Sequence, residues 1–351
     1  MNQIQAEGIQ IKGQISFLLF YPITEPVFAE FTAYPQALKR TPYFQPIDLN
    51  IEIISAEAVQ LEGVHISLQP QIYEETIYAV DCRFPIPDYV DTNAIELVNR
   101  IKTGLTEMLI PDAVRATEMW EEYTILLLDS HNQAPDEFVN QNGRILAGFL
   151  RAQSDLFTRE EERSILSSRL HYSEQDLIVV DWSGGLMVSP EEDYQSEIEV
   201  LKIGTYQLLR YRMLDKRIDD RLQYIRVLFD NPKRRRRDWF GHQARQTLKQ
   251  IIDERLTLLL DFERVDQDLL TIGDWYTAQL YRMIIDEFYL DEWKDNVKSK
   301  LENLASIVQA VQDNFTVSWS YFLDIVQLIG WIVLLIGYFI LFYFDTLPYL
   351  P

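Results

Sequence analysis

The sequence has almost no cysteine and lacks the short motifs of the common catalytic and metal-binding sites. Its 351 residues include one cysteine, Cys82, which excludes an internal disulfide and any cluster of cysteine ligands. The four histidines form no pair at metal-binding spacing, and neither a glycine-rich phosphate loop nor a GxSxG motif occurs. We therefore expect a non-enzymatic protein without a cofactor or a metal.

Basic residues are scarce in the first 200 residues. That part carries 12 Lys and Arg against 33 Asp and Glu, a net charge of -21 out of -22 for the whole chain. A surface of this sign repels nucleic acid and anionic lipid, so any contact with a polyanion belongs to the later part. Proteins, rather than nucleic acids, are the expected partners.

Charged residues are absent from residues 325–344, IVQLIGWIVLLIGYFILFYF. A helix of this length spans roughly 30 Å, which is the thickness of the hydrocarbon core of a bilayer. Aromatic residues flank both ends, as they do at membrane interfaces. A buried core helix is the alternative, and it would need protein on every face. We predict a transmembrane anchor at residues 319–344, with the lipid bilayer as partner, followed by a short tail at residues 345–351.

The charges around this stretch predict its orientation. No basic segment precedes an apolar run at the start of the sequence, and no Lys or Arg follows Lys300. The positive-inside tendency then places the N-terminal body in the cytoplasm, or on the matrix side in an organelle. We expect a single-pass membrane protein.

Proline is concentrated in the first 190 residues, where short runs of β-branched and aromatic residues alternate with turn residues. We predict strands within residues 9–20, 47–54, 64–68, 77–82, 123–128 and 177–188, the last being a hairpin that turns at Gly184-Gly185. Helices are predicted from an N-cap at Asp91 or Thr92 to Pro111, at residues 136–153 and at residues 158–170. The fold class is α+β: an acidic domain at residues 1–190 with an antiparallel or mixed sheet, followed by long helices.

Three long stretches after Pro190 have few or no helix breakers, namely residues 191–229, 242–272 and 274–329. We predict a long-helix bundle or stalk over residues 191–318. Within it, apolar residues follow a heptad spacing, so that they can be buried against another helix. That helix belongs either to the same chain or to a second copy of the chain in a homo-oligomer. These stalk residues are Leu290, Trp293, Val297, Leu301, Leu304, Val308, Val311 and Phe315.

Two further features point to contacts. Five adjacent basic residues form a basic run, Lys233, Arg234, Arg235, Arg236 and Arg237, which is a solvated loop, a contact for anionic lipid or an acidic protein, or a contact for RNA phosphates. Gly330 and Gly337 lie on one face of the anchor, where small residues let helices approach closely in lipid.

The order of elements in the last part resembles a known family. The motifs are DQDLL at residues 266–270, Asp274-Trp275-Tyr276, Leu280-Tyr281, and LDEWKDNVKSKLENLASI at residues 290–307, before the terminal membrane helix. They resemble the C-terminal half of the DUF155 family, the required-for-meiotic-nuclear-division-like membrane proteins. The resemblance implies a membrane-held, non-enzymatic factor, whose mitochondrial members support organellar translation, and it implies no catalytic residue.

Taken together, the sequence predicts a C-terminally anchored scaffold or tether for protein partners. An accessory or regulatory subunit of a membrane transporter or channel is the alternative, with Asp324 and Gln327 beside a pore. A membrane-bound enzyme is the third.

Overall fold

A computed structural model describes most of the chain. The described residues are 9–10, 13–24, 31–32, 49–87, 89–129, 134–154, 157–189, 194–229, 252–253, 256–260, 262–263 and 275–346. The fold is α+β: a mixed sheet near the N-terminus is followed by helices, of which the last is long and apolar at its C-terminal end.

The strands cluster in the first 190 residues, as the alternation of apolar and turn residues predicts. They are β1 (Ile9–Gln10), β2 (Gly13–Pro22), β3 (Phe31–Thr32), β4 (Ile51–Ile54), β5 (Glu57–Leu61), β6 (Val64–Tyr73), β7 (Ile77–Pro85), β8 (Tyr89–Val90), β9 (Glu121–Asp129), β10 (Arg169–Leu170), β11 (Leu177–Asp181) and β12 (Gly184–Ser189).

Ten of the strands in the described residues form one sheet in the order β10-β11-β12-β9-β2-β7-β6-β4-β3, with β5 also paired to β6. The pair formed by β9 and β12 is parallel, whereas β2 pairs antiparallel with both β7 and β9. The remaining two described strands, β1 and β8, pair with each other. The predicted alternative of a mixed sheet is therefore the one observed.

Seven helices of the described residues have defined bounds. They are α1 (Thr92–Leu109), α2 (Asp112–Arg115), α3 (Pro135–Leu150), α4 (Arg159–Ile165), α5 (Gln195–Phe229), α6 (Trp275–Glu287) and α7 (Leu290–Thr346). The predicted helix at residues 158–170 is shorter than expected, because the chain leaves the helix after Ile165 to form the edge strand β10.

Helices cover both faces of the central sheet. On one face, Phe17, Cys82 and Leu126 belong to the same apolar core as Ile95 and Ile101 of α1. The opposite face meets α5 and α6: the rings of Tyr73 and Tyr206 stack with centroids 5.2 Å apart, and those of Tyr123 and Phe288 lie 5.1 Å apart. The centre of the sheet is therefore buried on both sides, which explains why a strand such as β11 is apolar in every residue before Asp181.

The N-cap of α1 is Asp91, one of the two residues that the sequence predicts. The Asp91 side chain accepts a hydrogen bond from the Ala94 N–H at 3.0 Å, and the backbone of Asp91 is extended. This hydrogen bond is the main cause that holds the pKa of Asp91 below its ordinary value. The cap satisfies one of the N–H groups that the first turn leaves without a helical partner.

Replacing this cap provides a first test. We expect Asp91→Ala to lower the free energy of unfolding by about 1 kcal/mol, because the N–H of Ala94 loses its acceptor. Asp91→Asn keeps an acceptor oxygen and should change stability by only a few tenths of a kcal/mol at most. Urea unfolding of the detergent-solubilised chain measures both. Equal losses in the two variants would contradict the capping role.

The hairpin of β11 and β12 forms as predicted, but its turn lies elsewhere. Asp181 pairs with Gly184, so Trp182 and Ser183 form the turn and both glycines belong to β12. A Cβ at Gly184 would lie 2.7 Å from the Leu150 carbonyl oxygen, which is shorter than a van der Waals contact allows. Glycine is needed here because other atoms pack closely against the strand, and not because the backbone adopts a left-handed conformation.

The stretch at residues 274–329 lacks glycine and proline, yet it is not one helix. It breaks between α6 and α7, where Tyr289 adopts a left-handed φ of 54°. The Phe288 ring packs against Tyr123 of the sheet at this point. Tertiary packing at Phe288 and Tyr289, rather than a breaker residue, therefore ends α6.

The chain divides into two compact units. The first comprises Met1–Leu214 and Phe262–Asn296, and the second comprises Asp215–Asp261 and Val297–Pro351. The first part of α5, which packs on the sheet, belongs to the first unit. The predicted domain boundary at residue 190 stays a prediction.

Candidate functional site

A closed ring of polar side chains is buried between the sheet and α5, within the first unit. It combines three residues of β2 and β7 with three residues of the first two turns of α5. Its members are Ser16, Asp81, Arg83, Gln195, Glu199 and Lys202.

The hydrogen bonds on the sheet side converge on Asp81. Ser16 Oγ donates to Asp81 Oδ1 at 2.6 Å, and Arg83 Nε and Nη2 donate to Asp81 Oδ2 at 3.0 and 2.8 Å. Lys202 Nζ lies 3.4 Å from the same Oδ2. The Asp81 side chain is 0% exposed, so these partners replace all of its water.

The ring closes through α5. Arg83 Nη2 donates to Gln195 Oε1 at 2.8 Å, and Gln195 Nε2 donates to Glu199 Oε1 at 2.8 Å. Lys202 Nζ then donates to the same Glu199 oxygen at 3.0 Å. Two carboxylates and two basic groups balance each other, so the ring carries no net charge.

This environment shifts the pKa values of its two most buried members in opposite directions. Burial by itself raises the pKa of Asp81, but the charges of Lys202 and Arg83 and the hydrogen bonds outweigh burial and hold it below its ordinary value. Burial by itself lowers the pKa of Lys202, but Asp81 and Glu199 outweigh it and raise that pKa. Both groups are therefore charged at neutral pH.

The ring fixes the first turns of α5 to the sheet. Its charges face one another and not solvent, and breaking one such buried pair leaves an uncompensated charge. Among the described residues, no three His, Cys, Asp or Glu side chains form a group that could hold a metal ion. The hydrogen bonds and ion pairs of the ring link β2 and β7 to α5.

The turn between β11 and β12 contains a second polar cluster. Arg151 Nη2 donates to Asp181 Oδ1 at 2.8 Å, and Ser183 Oγ lies 3.1 Å from both Asp181 Oδ2 and the Leu150 carbonyl oxygen. Burial raises the pKa of Asp181, although the bonds from Ser183 and the charge of Arg151 oppose the shift. The exposed Trp182 ring lies 5.4 Å from the Arg151 guanidinium. The acid and hydroxyl are thus engaged in closing the hairpin.

The largest exposed apolar surface in the described residues is the C-terminal part of α7. Leu323–Leu341 is long and apolar enough to cross a membrane, and none of it is buried. Large side chains such as Trp331, Leu334 and Leu341 are 68–71% exposed. This apolar and unburied segment is therefore the main candidate functional site.

The predicted contact residues are placed unevenly. The basic run at residues 233–237 lies outside the described residues, and so do the side chains of Val308, Val311 and Phe315. Gly330 and Gly337 lie in the apolar helix with nothing within 4 Å of an added Cβ. Their role in helix packing stays a prediction.

The first part of the stalk residues is buried. Leu290 and Val297 are 3% and 0% exposed, and Leu301 and Leu304 are 6% and 1% exposed, whereas Trp293 is half-buried. Within the second unit, Lys300 of α7 contacts Asp215 and Asp219 of α5 at 2.6 and 2.8 Å. α5 of the same chain thus lies beside this part of α7, and a coiled coil with a second chain stays a prediction.

Comparisons with known proteins find one matching family and one similar protein. The family described as uncharacterized protein MJ0711, N-terminal domain, matches residues 31–195, which run from β3 to the first residue of α5. Uncharacterized protein MJ0711 of Methanocaldococcus jannaschii is 26% identical over 248 residues, covering 68% of this chain and 72% of the relative. No solved structure matches the chain. The chain is thus similar, over about two thirds of its length, to a protein that is itself uncharacterized.

The resemblance to the DUF155 family is wrong. The comparisons identify similarity to MJ0711 and its N-terminal domain instead. The resemblance relied on apolar spacing at residues 290–307, a pattern that an amphipathic helix of any origin can show. Its starting motif at residues 266–270 lies outside the described residues.

Sequence reasoning missed the buried ring. A signal was available, because Asp81 and Arg83 stand two residues apart in an otherwise apolar strand and therefore share one face. Their partners are more than a hundred residues away on α5. Nothing in the local pattern identifies Lys202 as the partner.

Proposed function

We propose that this protein is a single-pass membrane protein, anchored by the C-terminal part of α7, that acts as a non-enzymatic scaffold or tether for protein partners. The observation that carries the proposal is that no residue of Leu323–Leu341 is buried. The body before the anchor lies in the cytoplasm, or on the matrix side in an organelle.

The energetics of exposure support a membrane location. Fifteen large apolar side chains of this segment are about half exposed or more, from Val326 at 49% to Leu341 at 71%. Burying one fully exposed side chain of this kind stabilises by about 1.5–3 kcal/mol. Since these fifteen are only about half exposed, burying the exposed part of the whole set would stabilise by roughly 10–20 kcal/mol. That is comparable with the entire stability of a domain. The apolar segment is about 28 Å long at about 1.5 Å per residue, which matches the thickness of the hydrocarbon core of a bilayer.

The organisation of the first unit supports a binding role rather than a chemical one. The acids of the two polar clusters, Asp81 and Asp181, are each bonded to an arginine and to a serine hydroxyl group. The exposed surface of the same part is strongly acidic, since the first 200 residues carry a net charge of -21. Such a surface favours basic regions of proteins.

Two arginines in the anchor test the proposal. We expect the full chain to remain in the membrane pellet after alkaline carbonate extraction. Leu334→Arg with Leu335→Arg should move it to the supernatant, because each arginine near the bilayer centre costs about 2.5–3.5 kcal/mol of insertion free energy. Leu256→Arg with Leu260→Arg is the matched control, since these leucines are 55% and 60% exposed outside the anchor. Release of the unmodified chain by carbonate would refute the anchor.

A second candidate function is an accessory subunit of a transporter or channel. Asp324 and Gln327 favour it, because both lie exposed within or beside the apolar helix, where polar side chains usually face protein or water. Purification of the intact chain from membranes separates the two functions. Co-purification of polytopic membrane subunits supports the second candidate, whereas soluble partners that bind the body support the tether.

A further inference from the structure

Polar and small residues share one face of the apolar helix. At about 100° per residue, every residue between Asp324 and Leu341 that is not aliphatic or Phe falls within an arc of about 140°. These residues are Asp324, Gln327, Gly330, Trp331, Gly337 and Tyr338. The opposite face carries only Ile, Val, Leu and Phe, which suits contact with lipid tails.

The centre of this face follows a regular spacing. Asp324, Gln327, Trp331, Leu334 and Tyr338 are separated by 3, 4, 3 and 4 residues, which is the heptad spacing of two helices that pack side by side. Left-handed pairs of this geometry are the commonest in membranes. Gly330 and Gly337 lie one position before Trp331 and Tyr338, and a Cβ at either glycine would meet nothing within 4 Å, so this edge of the face is open.

Gln327 indicates what the helix partner is. An amide group has both donors and an acceptor, so two glutamines at the same level of a parallel pair can bond to each other. In hydrocarbon an unpaired amide is costly, whereas an identical helix supplies a matching one at the same depth. Asp324 stands one turn nearer the water, where carboxylates of two chains can stay hydrated or accept from Gln327 of the other chain.

We propose that the helix pairs in parallel with the same helix of a second copy of this chain, through the face centred on Gln327, Trp331 and Leu334. The inference rests on the proposed membrane anchor and adds its partner. Pairing of anchors would place two acidic bodies on one side of the membrane, which doubles the binding surfaces that a scaffold offers.

Cysteine cross-linking of the full chain in membranes tests the pairing. Cys82 is buried and should not react, so the unmodified chain provides the blank. We expect Leu334→Cys to give disulfide-linked dimers on oxidation and Ile332→Cys, at nearly the same depth on the lipid-facing side, to give several-fold fewer. Adding Gln327→Leu to Leu334→Cys should lower the dimer fraction about threefold, the effect of losing an average interhelical hydrogen bond. Ile329→Leu should leave it unchanged.

The outcomes separate this inference from the anchor itself. Carbonate extraction is done first, and release of the unmodified chain overturns both. An inserted chain that cross-links equally at positions 332 and 334, or at neither, overturns the pairing alone. An adduct of Leu334→Cys with a different protein, in place of dimers, also overturns it and supports the accessory-subunit function.

Discussion

Lys202→Met should lower the free energy of unfolding by about 3–5 kcal/mol at pH 7, the usual effect of removing one member of a buried ion pair. The ammonium of Lys202 contacts both Asp81 and Glu199 while its side chain is 2% exposed. Methionine fills a similar volume but leaves two carboxylates with Arg83 as the only nearby cation of the ring. The measurement is urea unfolding of the detergent-solubilised full chain.

The control for this variant is on the same helix. Lys216 pairs with Asp220 at 3.2 Å, but both side chains are more than half exposed, so Lys216→Met should change stability by no more than about 0.5 kcal/mol. If Lys202→Met is no more destabilising than Lys216→Met, the ring does not hold α5 to the sheet.

The pH dependence provides a second readout of the ring. The pKa of Asp81 is lowered, so its contribution is present above the ordinary carboxyl range and is lost as the pH falls through its folded value. The pKa of Lys202 is raised, so its contribution is present below its ordinary value of 10.5 and is lost as the pH rises through the folded value. The difference between Lys202→Met and the unmodified chain should therefore narrow at both acidic and strongly alkaline pH.

Gly184→Ala should be the second most disruptive substitution, lowering the free energy of unfolding by about 3 kcal/mol. The added Cβ would lie 2.7 Å from the Leu150 carbonyl oxygen and 3.0 Å from that of Thr124. Both atoms belong to backbone, and Thr124 is the partner of Gly184 in the parallel pair of β9 and β12. Neither can move without disturbing the centre of the sheet.

Gly104→Ala is the matched control in α1. Its Cβ would meet Leu61 Cδ1 at 3.5 Å, an ordinary contact, and alanine is favoured over glycine inside a helix by about 0.8–1 kcal/mol. We expect Gly104→Ala to be neutral or stabilising in the same unfolding measurement. Similar losses at positions 104 and 184 would show that close backbone approach is not what requires Gly184.

Local patterns predicted the elements well where the signal lies within a few residues. The N-cap at Asp91, the strands with period-two alternation and the apolar helix at the C-terminus all depend on neighbours in sequence. The same patterns did not predict the ends of elements that depend on contacts with residues distant in sequence. The break at Tyr289 accompanies the packing of Phe288 on Tyr123, and the turn at Trp182-Ser183 accompanies the close approach of Gly184 to Leu150.

The sequence by itself determined that the chain has an acidic α+β part and a C-terminal helix long and apolar enough to cross a membrane, because composition and periodicity act locally and need no partner. Only the tertiary structure decided that the sheet is mixed and covered on both faces, and that Asp81 and Arg83 meet Gln195, Glu199 and Lys202. Strand order and buried ion pairs join residues more than a hundred positions apart. Their energies depend on which groups the fold removes from water together, and no local pattern records that choice.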